Sequence, residues 1–200
     1  LYAGKIEHNA LVVDQRSHGR SEGKAITFGI LERKDVLSWI DYARSRFGED
    51  VKIILAGLSM GAATVLMSTD QKLPSNVVGI MADCPYSSPK AIIKTVCSRD
   101  MHLPANLMYP FIKLGARFFA GFDLEESSAV SAVKHTPVPI LLIHGDGDRF
   151  VPCDMSREIR DANPNMITLV TIPDAGHGLC YMTEPATYEN AMQEFCKKIL

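Results

Sequence analysis

The sequence predicts an α/β fold, a mostly parallel sheet with helices on both faces. Three observations carry that expectation. Short apolar runs at 10–14, 51–57, 77–83, 138–145 and 166–172 alternate with stretches of helical periodicity, the pattern of strands buried on both faces and joined by helical crossovers. A single serine, Ser59, stands between Gly57 and Gly61 where the second run gives way to a helix-forming stretch. Ser59, Asp148 and His177 each fall just past the carboxyl end of a run, where ligands bind in such sheets.

Taken in order, residues 1–9 are polar and indistinct, and Ala10–Asp14 reads as the first buried strand. The polar loop Asp14-Gln15-Arg16-Ser17-His18-Gly19-Arg20-Ser21 follows. A helix is expected from about Leu31 to Phe47. Val36, Ile40, Ala43 and Phe47 form its apolar stripe, and Gly48 its C-terminal cap. The strand over 51–57 runs into Gly57-Leu58-Ser59-Met60-Gly61. That is strand, sharp turn and helix with a hydroxyl at the tip, in which side chains at Gly57 or Gly61 should collide with their neighbours. The helix from Met60 should end near Ser68–Asp70, ahead of Pro74. The third strand, Val77–Asp83, precedes a long segment, 86–132, that breaks the alternation. It is rich in Met, Leu, Phe and Tyr, and too long for a plain crossover. We expect it to insert a helical cap whose Met101, Leu107, Met108 and Phe111 help line an apolar substrate pocket. The fourth strand ends in His144-Gly145-Asp146-Gly147-Asp148. A helix follows near Met155–Ala162, then the fifth strand and the loop Asp174-Ala175-Gly176-His177-Gly178. A last helix opens at Pro185 and buries Tyr188, Met192, Phe195 and Ile199.

Bulk properties narrow the classes. Two hundred residues suit a single domain with one sizeable core, and a net charge of −2 offers no basic field for nucleic acid. No apolar run approaches the length of a membrane span. The five cysteines are odd in number and irregular in spacing, with no C-x-x-C. They read as free thiols of a reducing, cytoplasmic setting, with neither a disulfide frame nor a zinc site. His8, His102 and His135 show no metal-ligand spacing, and no metal or other cofactor is expected.

The chemistry suggested is nucleophilic. A serine hydroxyl needs a base within hydrogen-bond reach, and the base needs an acid to orient it. At the turn the Ser59 hydroxyl would stand clear of the backbone. The Met60 N–H, at the positive end of a new helix, would face a developing oxyanion.

The order Ser59, Asp148, His177, with the G-x-S-x-G turn, the run His144-Gly145-Asp146-Gly147-Asp148-Arg149-Phe150-Val151-Pro152 and the stretch Ala175-Gly176-His177-Gly178, resembles the α/β-hydrolase fold enzymes over almost the whole chain. In detail it is similar to the bacterial serine esterase and peptidase branch. The loop at 14–21 is similar to that family's D-x-R-G-x-G-x-S, with Ser17 where glycine is usual. The resemblance implies that Ser59 attacks a carbonyl, His177 shuttles the proton and Asp148 orients the imidazole, with Asp146 the competitor for the acid. Asp174 would brace its turn, while Arg16, His18 and His144 would be structural. It implies a small-molecule ester or amide substrate, carboxylic esters first. A non-catalytic binding protein of the same fold is the contrasting class. It also implies that strands precede Ala10–Asp14 in the full fold and that one of them lies between that segment and the strand over 51–57. The expectation is therefore a longer polypeptide, or another chain such as a homodimer partner, filling that gap.

Overall fold

The computed structural model describes residues 8–200, and its centre is a four-stranded parallel sheet. In chain order the elements are α1 (Glu32–Phe47), β1 (Ile53–Leu58), α2 (Met60–Met67, extended by a 3-10 turn Ser68–Asp70), β2 (Val77–Asp83) and α3 (Pro89–Arg99). Then come α4 (Ala105–Gly115, running on into a wider π turn at Ala116–Ala120), α5 (Ala129–Val133), β3 (Ile140–Gly145), α6 (Asp154–Ala162), β4 (Ile167–Ile172), α7 (Cys180–Thr183) and α8 (Pro185–Ile199). The strands lie in the order β1-β2-β3-β4. The sheet grows in one direction with right-handed crossovers, so the connecting helices gather on one face. The last helix, α8, is left to cover the other.

The alternation of strand side chains shows both layers. Ile80, Ala82, Ile140 and Leu142 join Leu66, Ile92 and Ile159 in the larger core. Their neighbours in sequence, Met81, Leu141 and Ile143, pack with Tyr188, Met192 and Phe195 of α8. Every residue of β3 is buried, as a central strand of a sheet covered on both faces requires. The segment 86–132 carries α3, α4 and α5. Ser88 caps α3 by accepting the Ala91 N–H at 3.1 Å, and α5 opens with a reciprocal Ser128–Ser131 capping box.

Three local expectations are corrected. Ala10–Asp14 is not a strand but irregular backbone, with Val12 90% exposed. A strand is held by its ladder, and among the described residues nothing pairs with this segment or with the outer edge of β1. Phe47, the last residue of α1, is 58% exposed, while Ile40 and Ala43 stay buried. Gly61 has room for a side chain, since an added Cβ would meet only the Gln15 Nε2 at 3.7 Å. Gly57 is the constrained partner: a Cβ there would fall on the Gly61 carbonyl group.

Candidate active site

The turn between β1 and α2 holds Ser59 at φ 53° and ψ −114°, backbone that costs a non-glycine residue about 1–3 kcal/mol and persists only where its surroundings enforce it. Here the enforcement is visible. The Ser59 N–H donates to the Asp83 carbonyl at 2.8 Å, the Ser59 carbonyl accepts the Ala63 N–H at 2.9 Å, and Gly57 lets β1 and α2 close on each other. Met60 opens α2, where first-turn N–H groups have no carbonyl of their own helix to bond.

His177 arrives from the loop after β4. Its position depends on Gly145 at the end of β3, where any Cβ would strike the Ala175 carbonyl oxygen; only glycine lets the two loops lie in contact. The Asp174 N–H donates to Asp146 Oδ1 at 2.7 Å, which ties the same loops together. Asp146 is thereby committed to bracing. Asp148 is the carboxylate that meets the imidazole, with Oδ2 2.7 Å from His177 Nδ1, and His177 Nε2 lies 2.8 Å from Ser59 Oγ. The predicted Ser59, His177 and Asp148 are thus joined in one hydrogen-bonded relay, although 118 positions separate Ser59 from His177.

The partners dictate the protonation pattern. Asp148 has no exposed side-chain surface. Burial would push its carboxyl up, but hydrogen bonds from His144, His177 and the Val151 N–H outweigh that and hold it well below the ordinary carboxylate range. Its Oδ1 accepts the N–H groups of Phe150 at 2.8 Å and Val151 at 2.9 Å. An ionised Asp148 places the proton of a neutral His177 on Nδ1 and leaves the Nε2 lone pair facing the serine hydroxyl. His144 follows the same logic. Its Nε2 faces the Val151 carbonyl at 2.9 Å and Asp148 Oδ2 at 3.3 Å, so that nitrogen carries the hydrogen, and Nδ1 accepts from Ser156 Oγ at 2.6 Å.

Several further residues gather at the site. His144, expected to be structural, also touches Asp148. Phe150 sets its ring edge-on to His177, centroids 5.0 Å apart, and is itself covered by the Arg99 guanidinium. Its signal was its place two residues after Asp148 in the same turn. Cys84, wholly buried, takes φ 45° just past β2, and its N–H donates to the Ile143 carbonyl at 2.9 Å. Burial pushes its thiol far up, so it is a neutral S–H. Asp83 beside it is also pushed up by burial, partly offset by hydrogen bonds from Tyr188, Cys180 and Cys84. All five cysteines are free and buried. Arg16 pairs bidentately with Asp35, at 2.6 and 2.5 Å, as a structural partner should.

Met101, Leu107 and Phe111 lie on an exposed face with Met108 half-buried beside them. Two clefts of about 450 Å³ flank the molecule. One is lined by Lys94, Ser98 and Leu103, the other by Arg16, Asp35 and Trp39, and neither includes the relay or those four residues. Among the described residues no helix is long and apolar enough to cross a membrane.

A profile of the family described as the alpha/beta hydrolase family matches residues 1–191. The chain belongs to the alpha/beta hydrolase family. This hydrolase-family chain is 24% identical over 187 residues to protein YqkD of Bacillus subtilis, covering 94% of this chain and 61% of that relative. It is 27% identical over 172 residues to YfhR of Escherichia coli O157:H7, covering 84% and 53%. It thus spans roughly half to three fifths of the length of these two curated relatives. Among solved structures, the Pyrococcus furiosus esterase Pf2001 superposes with a TM-score of 0.73 at 23% identity, over 99% of this chain and 74% of that one. A protein described as a predicted CIB-like hydrolase from Thermoplasma acidophilum gives 0.61 at 20% identity, over 98% and 75%. At such identities the structural likeness speaks for the fold.

Proposed function

We propose that the chain carries a serine hydrolase site that cleaves carboxylic esters through an acyl-enzyme. The observation that carries this reading is the unbroken hydrogen-bonded line from Ser59 Oγ through His177 to Asp148. On this reading Ser59 Oγ attacks the ester carbonyl while His177 Nε2 accepts its proton, and Asp148 stabilises the imidazolium that forms. The Met60 N–H receives the charge growing on the carbonyl oxygen. His177 then protonates the departing alcohol, water enters, and the same base activates it to release the acid and restore Ser59. Phe150, edge-on to the imidazole, keeps the ring in its plane.

The segment 86–132 serves as the cap. What supports this is that Arg99, at the end of α3, rests on Phe150, which in turn packs on His177. Met101, Leu107, Met108 and Phe111 offer the apolar surface on which an acyl chain lies. Met101→Ala and Phe111→Ala are expected to raise KM for long-chain esters and leave kcat and short-chain esters nearly unchanged, the signature of lost uniform binding. Equal KM values for native and variant chains across chain lengths would remove these residues from the substrate surface.

The central test is intact mass after exposure to a fluorophosphonate probe. The native chain should gain one adduct and Ser59→Ala none. A folded native chain that stays unlabelled would end the hydrolase reading.

A further inference from the structure

Beside the relay lies a group that the proposed reaction never uses. Cys84 ends β2, Asp148 follows β3 and His177 follows β4. The Cys84 Sγ, an Asp148 carboxylate oxygen and a His177 ring nitrogen all lie within 4.8 Å of one another. Positions 84, 148 and 177 share no recognisable ligand spacing, so only the sheet brings them together. We propose that these three side chains form a binding site for a thiophilic divalent cation such as Zn2+, and that its occupancy switches Ser59 off.

Thiolate, imidazole and carboxylate are the donors Zn2+ favours, and bond lengths of about 2.0–2.3 Å put tetrahedral ligands roughly 3.5 Å apart. Asp148 Oδ2 and His177 Nδ1 lie 2.7 Å apart and the three ligand atoms all lie within 4.8 Å of one another, so reaching that spacing is a small local adjustment. Cys84 and Asp148 are buried, while the His177 side chain is 23% exposed and marks the way in. The fourth position falls to water or to Ser59 Oγ, which already lies against His177.

Binding costs the base its function whichever ring nitrogen is used. The metal displaces the Cys84 thiol proton to solvent and takes an imidazole lone pair. If it takes Nδ1, the ring proton moves to Nε2, which then donates to Ser59 and can no longer receive its proton. If it takes Nε2, Ser59 loses its acceptor outright. No redox change is involved, and a chelator reverses the state. The inhibitory half of the proposal rests on the serine hydrolase reading; the binding half does not.

The experiment separates them. The chelator-stripped chain is titrated with Cd2+, following the ultraviolet thiolate-to-metal charge-transfer band, with Zn2+ as competitor. One equivalent is expected for the native chain and for Cys180→Ser, and no band for Cys84→Ser or Cys84→Ala. In parallel, Zn2+ should slow fluorophosphonate labelling of the native chain and chelator should restore it. Measured against its own metal-free labelling rate, Cys84→Ser should need at least about tenfold more Zn2+ than the native chain for the same fractional inhibition. A Cys84-dependent band on a chain that never labels would retire the hydrolase reading and leave the site standing. A band that survives Cys84→Ser, or labelling untouched by saturating Zn2+, would overturn the proposal.

Discussion

Asp148 and Asp83 are two buried carboxyls a strand apart, and their surroundings drive them in opposite directions. Asp148 is held below its ordinary range by four donors. Its ionised form favours the folded state, a contribution present above the unfolded value near pH 4 and lost as pH falls toward the folded value. We expect Asp148→Asn to be less stable than the native chain at neutral pH and to show a flatter decline on acidification, read by urea midpoints from pH 3 to 7. Parallel acid limbs for the two chains would refute that account. Asp83 is pushed up, so the folded chain holds its proton more tightly than the unfolded one, and stability drains away as pH rises through that interval. Asp83→Asn should therefore raise the neutral-pH urea midpoint, with the gain vanishing below about pH 4. A lowered midpoint at pH 7 would mean that the bond from Tyr188, at 3.0 Å, outweighs the cost of the charge. Sequence motifs made Ser59, Asp148 and His177 legible because each sits in a loop of recognisable composition. Cys84 and Asp83 were opaque: a cysteine and an aspartate at a strand end read as ordinary, and only the packing of three strands reveals what they face.

At the scale of elements, apolar runs located all four observed strands, and Pro185 and Gly48 marked helix limits. Ala10–Asp14 misled for a physical reason, since an apolar run states an affinity for a core and says nothing of whether a neighbour is present to complete the ladder. The stripe of α1 erred at Phe47 because periodicity marks a face of a helix and not how far along it the packing extends. Two substitutions separate structural from functional elements. Leu142, fully buried in β3, should cost about 2–5 kcal/mol on truncation to alanine, seen in the denaturant midpoint. Gly145→Ala acts on the joint between β3 and the His177 loop. It should slow fluorophosphonate labelling by about a hundredfold while far-ultraviolet dichroism stays native, since a misplacement of about an ångström has that weight on a positioned base. Native labelling rates in that variant would show that the loop contact does not set the geometry of the relay.

Seen whole, the molecule leaves a good deal of apolar surface uncovered. Trp39, Tyr42 and Phe47 stand out on α1, and Leu107, Phe111 and Leu114 on α4, with Phe118 81% and Phe119 94% exposed on the π turn beyond. Contiguous patches of this kind drive association in water. Phe118→Glu with Phe119→Glu should lower concentration-dependent light scattering without altering the fluorophosphonate labelling rate; unchanged scattering would assign any association to another face. The family and the parallel sheet were readable from motifs strung along the chain, and so was the open flank of β1, since the resemblance implied a further strand between Ala10–Asp14 and the strand over 51–57; the uncovered aromatics were not, because no residue announces what its neighbour in space will be. The origin of the three relay groups on three separate strand ends has a further consequence. Ser59 follows β1, Asp148 β3 and His177 β4, so the line closes only in molecules where every one of those ends is seated at once. The chain is thus its own coincidence detector: in a urea series the labelling rate should report the joint probability of three anchorages, falling ahead of the dichroism signal if any single end frays before the sheet melts.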